Sequence, residues 1–206
     1  MSLLHRFDRF LFQRSRQRIL NGIAVRLLWL SGRDAEAAFE KVAAALELIQ
    51  KYSPRDFTRL RCLVKGIWVG GCIENLGEWY PALGLVNLQV KYVRSEATLP
   101  AAVASTLVHE ATHAWLDNLG IRYIERDRAR IEAICVRSER AFARRLPDAG
   151  ELLEAIEWKL NRDPTSWTDY ALAHRKLDEL RELGAPRWLV ESCEWRLRRR
   201  FGERDR

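Results

Sequence analysis

Two of the four histidines of this 206-residue chain fall four positions apart in the run His109-Glu110-Ala111-Thr112-His113. On a helix, residues four apart lie about 40° apart around the axis, so both imidazoles leave one face and can bind a single metal ion. Glu110 is about 100° round from His109, which keeps its carboxylate out of that ligand set but within reach of a water polarised by the ion. Nitrogen donors beside an acid/base carboxylate point to metal-assisted hydrolysis. The flanks Thr106, Leu107, Ala111, Thr112 and Ala114 are uncharged and Trp115 is hydrophobic. The helix is therefore expected to be largely buried, which disfavours two solvent-facing histidines on an ordinary amphipathic helix.

A catalytic zinc needs a third protein ligand and an open position for water. Asp117, Glu125, Glu132 and Glu139 lie downstream. The first helix is expected to stop near Asn118, and Gly120 lets the chain reverse into a helix that runs back alongside it. At 1.5 Å per residue His113 lies about 10 Å before the turn, so a ligand level with it falls about ten residues after the turn. Glu132 fits, Glu125 is too close to the turn and Glu139 overshoots. Cys135, three residues after Glu132 on the same helical face, is the one residue that could close the shell as a fourth ligand. As a lone cysteine it reads as core.

The segment Thr98 to Cys135, with the strand before it, resembles the extended pattern of the zincin class of zinc metallopeptidases. The separation of 19 residues from His113 to Glu132 is similar to that of the gluzincin subgroup, the thermolysin-like enzymes, whose third ligand is a Glu on the following helix. The resemblance implies a Zn2+ cofactor, Glu110 as general base and a peptide or protein substrate. It also implies an edge strand upstream of the active-site helix that binds extended peptide backbone. Gly84 to Val90 occupies that place, making Asn87 a candidate substrate contact. Where thermolysin-like enzymes carry an Asp four residues after the third ligand, supporting a zinc histidine, this chain has Val136. Asp117, one turn beyond His113, is the candidate for that support. The extra histidine of metzincins is missing, since only His174 follows Gly120. A stabiliser for the developing oxyanion is expected. Tyr170 and His174, one turn apart, and Tyr123, at the start of the Glu132 helix, are candidates that no spacing separates.

These residues need elements to position them. The active-site helix is expected over Thr98 to Asn118, with Thr98 as cap, Pro100 in the first turn and Gly120 past the end. An earlier helix from about Asp34 to Lys51 buries Phe39, Val42, Ala43, Leu46 and Ile49 and stops at Ser53-Pro54. The β-rich stretches Arg59 to Val69 and Leu85 to Val93, separated by Gly70-Gly71, Gly77 and Pro81, suggest a small antiparallel sheet. Helices fill Pro100 to Arg200, broken at Gly120, Pro147, Pro164 and Gly184-Ala185-Pro186. At the N-terminus, Leu3, Leu4, Phe7, Phe10 and Leu11 alternate with arginines, giving a basic amphipathic helix over Leu3 to Leu20 that packs on the protein or contacts a membrane surface. The expected fold is α+β: one mainly helical, zincin-like domain over residues 1–206 with a small antiparallel sheet before the active-site helix. Residues 1–30 form its basic N-terminal helical region.

Hydrophobic residues at 48% and charged residues at 31% describe a globular chain and exclude a disordered tail or a fibre. The 29 arginines and 6 lysines exceed the acids by seven, but they are spread evenly, which argues against nucleic acid as a partner. Cys62, Cys72, Cys135 and Cys193 show no Cys-x-x-Cys spacing, which rules out a zinc ribbon and a disulfide framework. With no secretory or membrane-spanning segment expected, the cytoplasm fits best. Two function classes follow: a zinc metallopeptidase, or a non-catalytic zinc-bound interaction domain at a membrane or nucleic-acid surface. Glu110 favours the first, because a structural zinc has no use for a base there and usually completes its shell with a fourth protein ligand.

Overall fold

The computed structural model describes residues 12–28, 30–70, 75–182 and 184–202. They divide into two compact units, one formed by the described residues up to Arg122 together with Ile131–Asn161, the other by Tyr123–Arg130 and the residues from Arg162 onward.

The first unit is built on five strands, β1 (Arg16–Leu20), β2 (Ile23–Leu27), β3 (Gly66–Gly70), β4 (Gly77–Tyr80) and β5 (Leu85–Gln89), in the order β1-β2-β3-β5-β4. The β2–β3 and β3–β5 pairs are parallel and the two outer pairs antiparallel, so the expected antiparallel sheet is a mixed one. Its first hairpin turns at Asn21 and Gly22, both with positive φ (49° and 78°), the backbone that a two-residue hairpin loop requires and that Asn-Gly adopts most readily. This hairpin replaces the expected helix over Leu3 to Leu20 in its last five residues. The remainder of that segment up to residue 11, including the apolar positions proposed for membrane contact, lies outside the described residues. Arg18 in β1 pairs with Glu36 at 2.7 Å.

Helix α1 (Gly32–Tyr52) buries Ala38, Phe39, Val42, Ala45, Leu46 and Ile49, with Ala45 inward where Ala43 was expected. Helix α2 (Pro54–Leu63) begins at once, Pro54 taking the first-turn position and Phe57 and Leu60 facing inward. It corrects the strand expected over Arg59 to Val69, of which only the end is β3. Strand β5 likewise ends at Gln89, followed by the short helix α3 (Val90–Arg94).

Helix α4 (Pro100–Asn118) carries the HExxH run. Leu99 takes the cap position, with Thr98 one residue outside and Pro100 in the first turn. At the other end the Ile121 N–H donates to Leu116 O at 3.0 Å and the Gly120 N–H to Asp117 O at 2.9 Å. These are the two bonds of a Schellman motif, and Gly120 at φ 77° supplies its left-handed residue. Val103, Leu107 and Val108 of α4 are fully buried in one core with β2, β3, β5 and α1. Each such side chain contributes about 1.5–3 kcal/mol relative to exposure, which fixes the helix against the sheet. Helices α5 (Glu125–Ala143) and α6 (Gly150–Leu160) follow.

In the second unit a 3-10 turn (Pro164–Trp167) is capped by Asp163, whose carboxylate accepts the Thr165 N–H at 2.8 Å, and leads into α7 (Asp169–Glu182) and α8 (Arg187–Phe201). Arg128 donates to Trp167 O and pairs with Asp169, both at 2.8 Å. Among the described residues no helix is long and apolar enough to cross a membrane.

Candidate metal centre

His109 and His113 project from one face of α4 with their Nε2 atoms 3.1 Å apart. From α5, Glu132 Oε2 lies 3.3 Å from His109 Nε2 and Oε1 lies 3.4 Å from His113 Nε2. The expected ligand set thus converges. Two imidazole lone pairs at this separation repel one another unless a proton or a metal cation sits between them, and a buried carboxylate facing both supplies the counter-charge. The donors suit a divalent transition metal by chemistry and by spacing.

The other nitrogen of His109 decides which tautomer is present. Nδ1 lies 2.5 Å from Glu139 Oε1. A carboxylate can only accept, so Nδ1 carries a proton, which leaves Nε2 as the nitrogen that can ligate a metal once its own proton is displaced. Glu139 is 1% exposed, and its Oε2 accepts from Ser105 Oγ at 3.1 Å and Lys159 Nζ at 2.9 Å. The residue expected to overshoot therefore holds the His109 ring in place. Because α4 and α5 run in opposite senses, Glu139, about 10 Å along α5 from Glu132, comes level with Ser105, and from there its carboxylate reaches the Nδ1 side of the His109 ring. Asp117, the candidate for this support, accepts from Trp79 Nε1 at 3.3 Å on an exposed edge.

Glu110 is buried beside the two histidines at 5% exposure and accepts the Trp79 backbone N–H. Strand β4 brings that N–H into place only because Gly77 lies against α4. A Cβ on Gly77 would sit 2.6 Å from Thr106 Cγ2 and 3.3 Å from Glu110 Oε1. Burial pushes the Glu110 carboxyl above its ordinary range, partly offset by the two histidines, a direction that suits a general base working near neutral pH. Burial also opposes charge on His109, yet Glu139 and Glu132 hold its imidazolium well above the usual histidine value. Glu132 and Glu139 are held low, in spite of their burial, by the histidines and, for Glu139, by Lys159.

The substrate strand also needs correction. Gly84 to Val90 contains β5, which pairs with β3 on one side and β4 on the other. Asn87 lies on this inner strand and is 6% exposed, so it offers no free backbone to an extended peptide. The sheet edge beside α4 is β4. Tyr123, Tyr170 and His174 all belong to the second unit. There the Tyr170 ring lies 4.3 Å from His174 and 5.8 Å from Phe201, and Arg128 lies 5.3 Å over the ring of Tyr123.

No family model, curated protein or solved structure matches the chain.

One more donor faces the histidines. Cys135 is fully buried against Leu116 and Ile131, as expected of a core cysteine. Yet the ligand atoms of His109, His113 and Cys135 all lie within 4.8 Å of one another, and this group could bind a metal ion. Burial and the surrounding Glu132, Glu110 and Glu139 push the thiol upward, so without a cation it stays protonated.

Proposed function

We propose that the chain is a zinc-dependent metallopeptidase of zincin type, with His109, His113 and Glu132 as ligands and Glu110 as general base. The observation that carries this reading is the convergence of both Nε2 atoms and the Glu132 carboxylate within 3.1–3.4 Å, with Glu110 buried alongside but outside the set. A bound zinc would supply Lewis acidity at that point. Glu110 takes the proton of the attacking water and passes it to the leaving amine as the C–N bond breaks. Glu139 holds His109 in the ligating tautomer, and β4 offers a sheet edge to an extended peptide or protein substrate. The free cysteines Cys62, Cys135 and Cys193 suit a reducing compartment such as the cytoplasm.

A non-catalytic zinc domain leaves Glu110 without work. Burying a carboxylate is costly, and a structural site has no need of one that is not a ligand. The test is Glu110→Gln on a degenerate peptide library read by mass spectrometry, with zinc measured in both forms. The variant should keep stoichiometric zinc and lose about 10²–10⁴-fold in rate. Equal cleavage by both forms refutes Glu110 as the base, and absence of zinc in the wild type refutes the site.

A further inference from the structure

Glu132 and Cys135 are one turn apart on α5 and both face the two histidines, so the site holds one more inward donor than an open catalytic centre needs. A tetrahedral zinc with bonds of about 2.3 Å to sulfur and 2.0–2.1 Å to nitrogen places those donors about 3.6 Å apart. The donor atoms of His109, His113 and Cys135 already lie within 4.8 Å of one another and reach that spacing through a small side-chain adjustment. The thiol has no solvent exposure, so water does not compete with the metal for it. Packing against Leu116 and Ile131 accounts for an apolar residue at this position, but not for a sulfur directed at two imidazoles.

We propose that Cys135 is a fourth inner-sphere ligand and that the metal centre rests in a closed, latent His109-His113-Glu132-Cys135 form. This rests on the metallopeptidase reading and adds a control to it. Were the sulfur to bind a metal, the thiol would give up its proton to the water that reaches the part-exposed histidines. Were it to leave, it would take a proton back by the same route, and the fourth position would open for the water that Glu110 activates. Four protein ligands leave no such position, so hydrolysis by the wild type is confined to the fraction of molecules in which the sulfur has left.

Cobalt(II) makes the two forms visible, because a thiolate ligand gives a near-ultraviolet charge-transfer band that nitrogen and oxygen ligands lack. The full chain is stripped of metal and titrated with cobalt, and wild type is compared with Cys135→Ala for cobalt stoichiometry, absorption and peptide-library cleavage by the zinc form. Wild type should bind one cobalt with the band. Cys135→Ala should bind one cobalt, lose the band and cleave faster than wild type. Cobalt bound by the wild type without the band overturns the inference and leaves the metallopeptidase reading standing, an outcome that needs no variant. A band with no gain of cleavage in the variant overturns latency. If the wild type binds no cobalt, the metal site itself fails, and this inference with it.

Discussion

Glu139 shows how much of a metal site lies outside its ligands. Its carboxylate takes hydrogen bonds from His109, Ser105 and Lys159 at 1% exposure, so its negative charge is fully matched. Glu139→Gln keeps the shape but removes the charge that fixes the His109 tautomer. Zinc affinity should fall about 10–100-fold, measured by competition with a chromophoric chelator, and an unchanged affinity would remove Glu139 from the supporting role. The cluster itself is legible in sequence: the four-residue spacing puts both histidines on one face, and the rise along two antiparallel helices brings Glu132 to them. Glu139 escaped because that arithmetic sought the residue level with His113, whereas the supporting carboxylate answers to His109 one turn earlier. Cys135 reads as core in the sequence, which reveals that a cysteine is inward and not whether the sulfur meets a donor cluster.

At the level of elements, the site depends on β4 lying tight against α4. Gly77→Ala puts a methyl 2.6 Å from Thr106 Cγ2, and either the strand or the helix must move. The expected cost is about 1–3 kcal/mol in denaturant unfolding, together with loss of hydrolysis as Glu110 loses the Trp79 N–H. Thr106→Ser removes the clashing methyl while keeping the hydroxyl that meets Tyr92 Oη at 3.1 Å. The double variant should therefore recover most of the stability. If it does not, contact with Thr106 is not what requires glycine there. The elements around this contact were less legible than the motif. Asn21-Gly22 is a hairpin signal, and Ile23–Leu27 alternates buried and half-buried residues, but the arginine-spaced apolar residues before them suggested a helical period. Ser53-Pro54 was read as a stop signal. Proline at the first helical position also starts a helix, and α2 begins there.

At the level of the molecule, the division into two units had no compositional mark, because one boundary falls inside a continuous helix, between Arg130 and Ile131 of α5. The metal is expected to stabilise the whole folded chain, by about 2.7 kcal/mol at one hundred times its dissociation constant, and the sign of its pH dependence follows from the site. In the metal-free protein Glu132 and Glu139 have lowered values. Their contribution is present above the unfolded carboxylate value of 4.5 and is lost as pH falls through the folded values. His109 is raised well above 6.5. Its contribution is complete below 6.5 and is lost as pH rises through the folded value. Zinc requires the histidines as neutral donors, so it must displace the proton that the metal-free site holds, and its affinity rises with pH. The two trends run in opposite directions above the histidine range: the metal-free chain weakens there while the zinc form gains. The difference in melting temperature between zinc-loaded and chelator-treated protein should therefore widen from about pH 5.5 to about pH 8, with proton release on zinc binding seen by calorimetry in buffers of different ionisation enthalpy. A difference that stays flat or narrows over that range would mean that zinc does not bind at the nitrogens holding this proton.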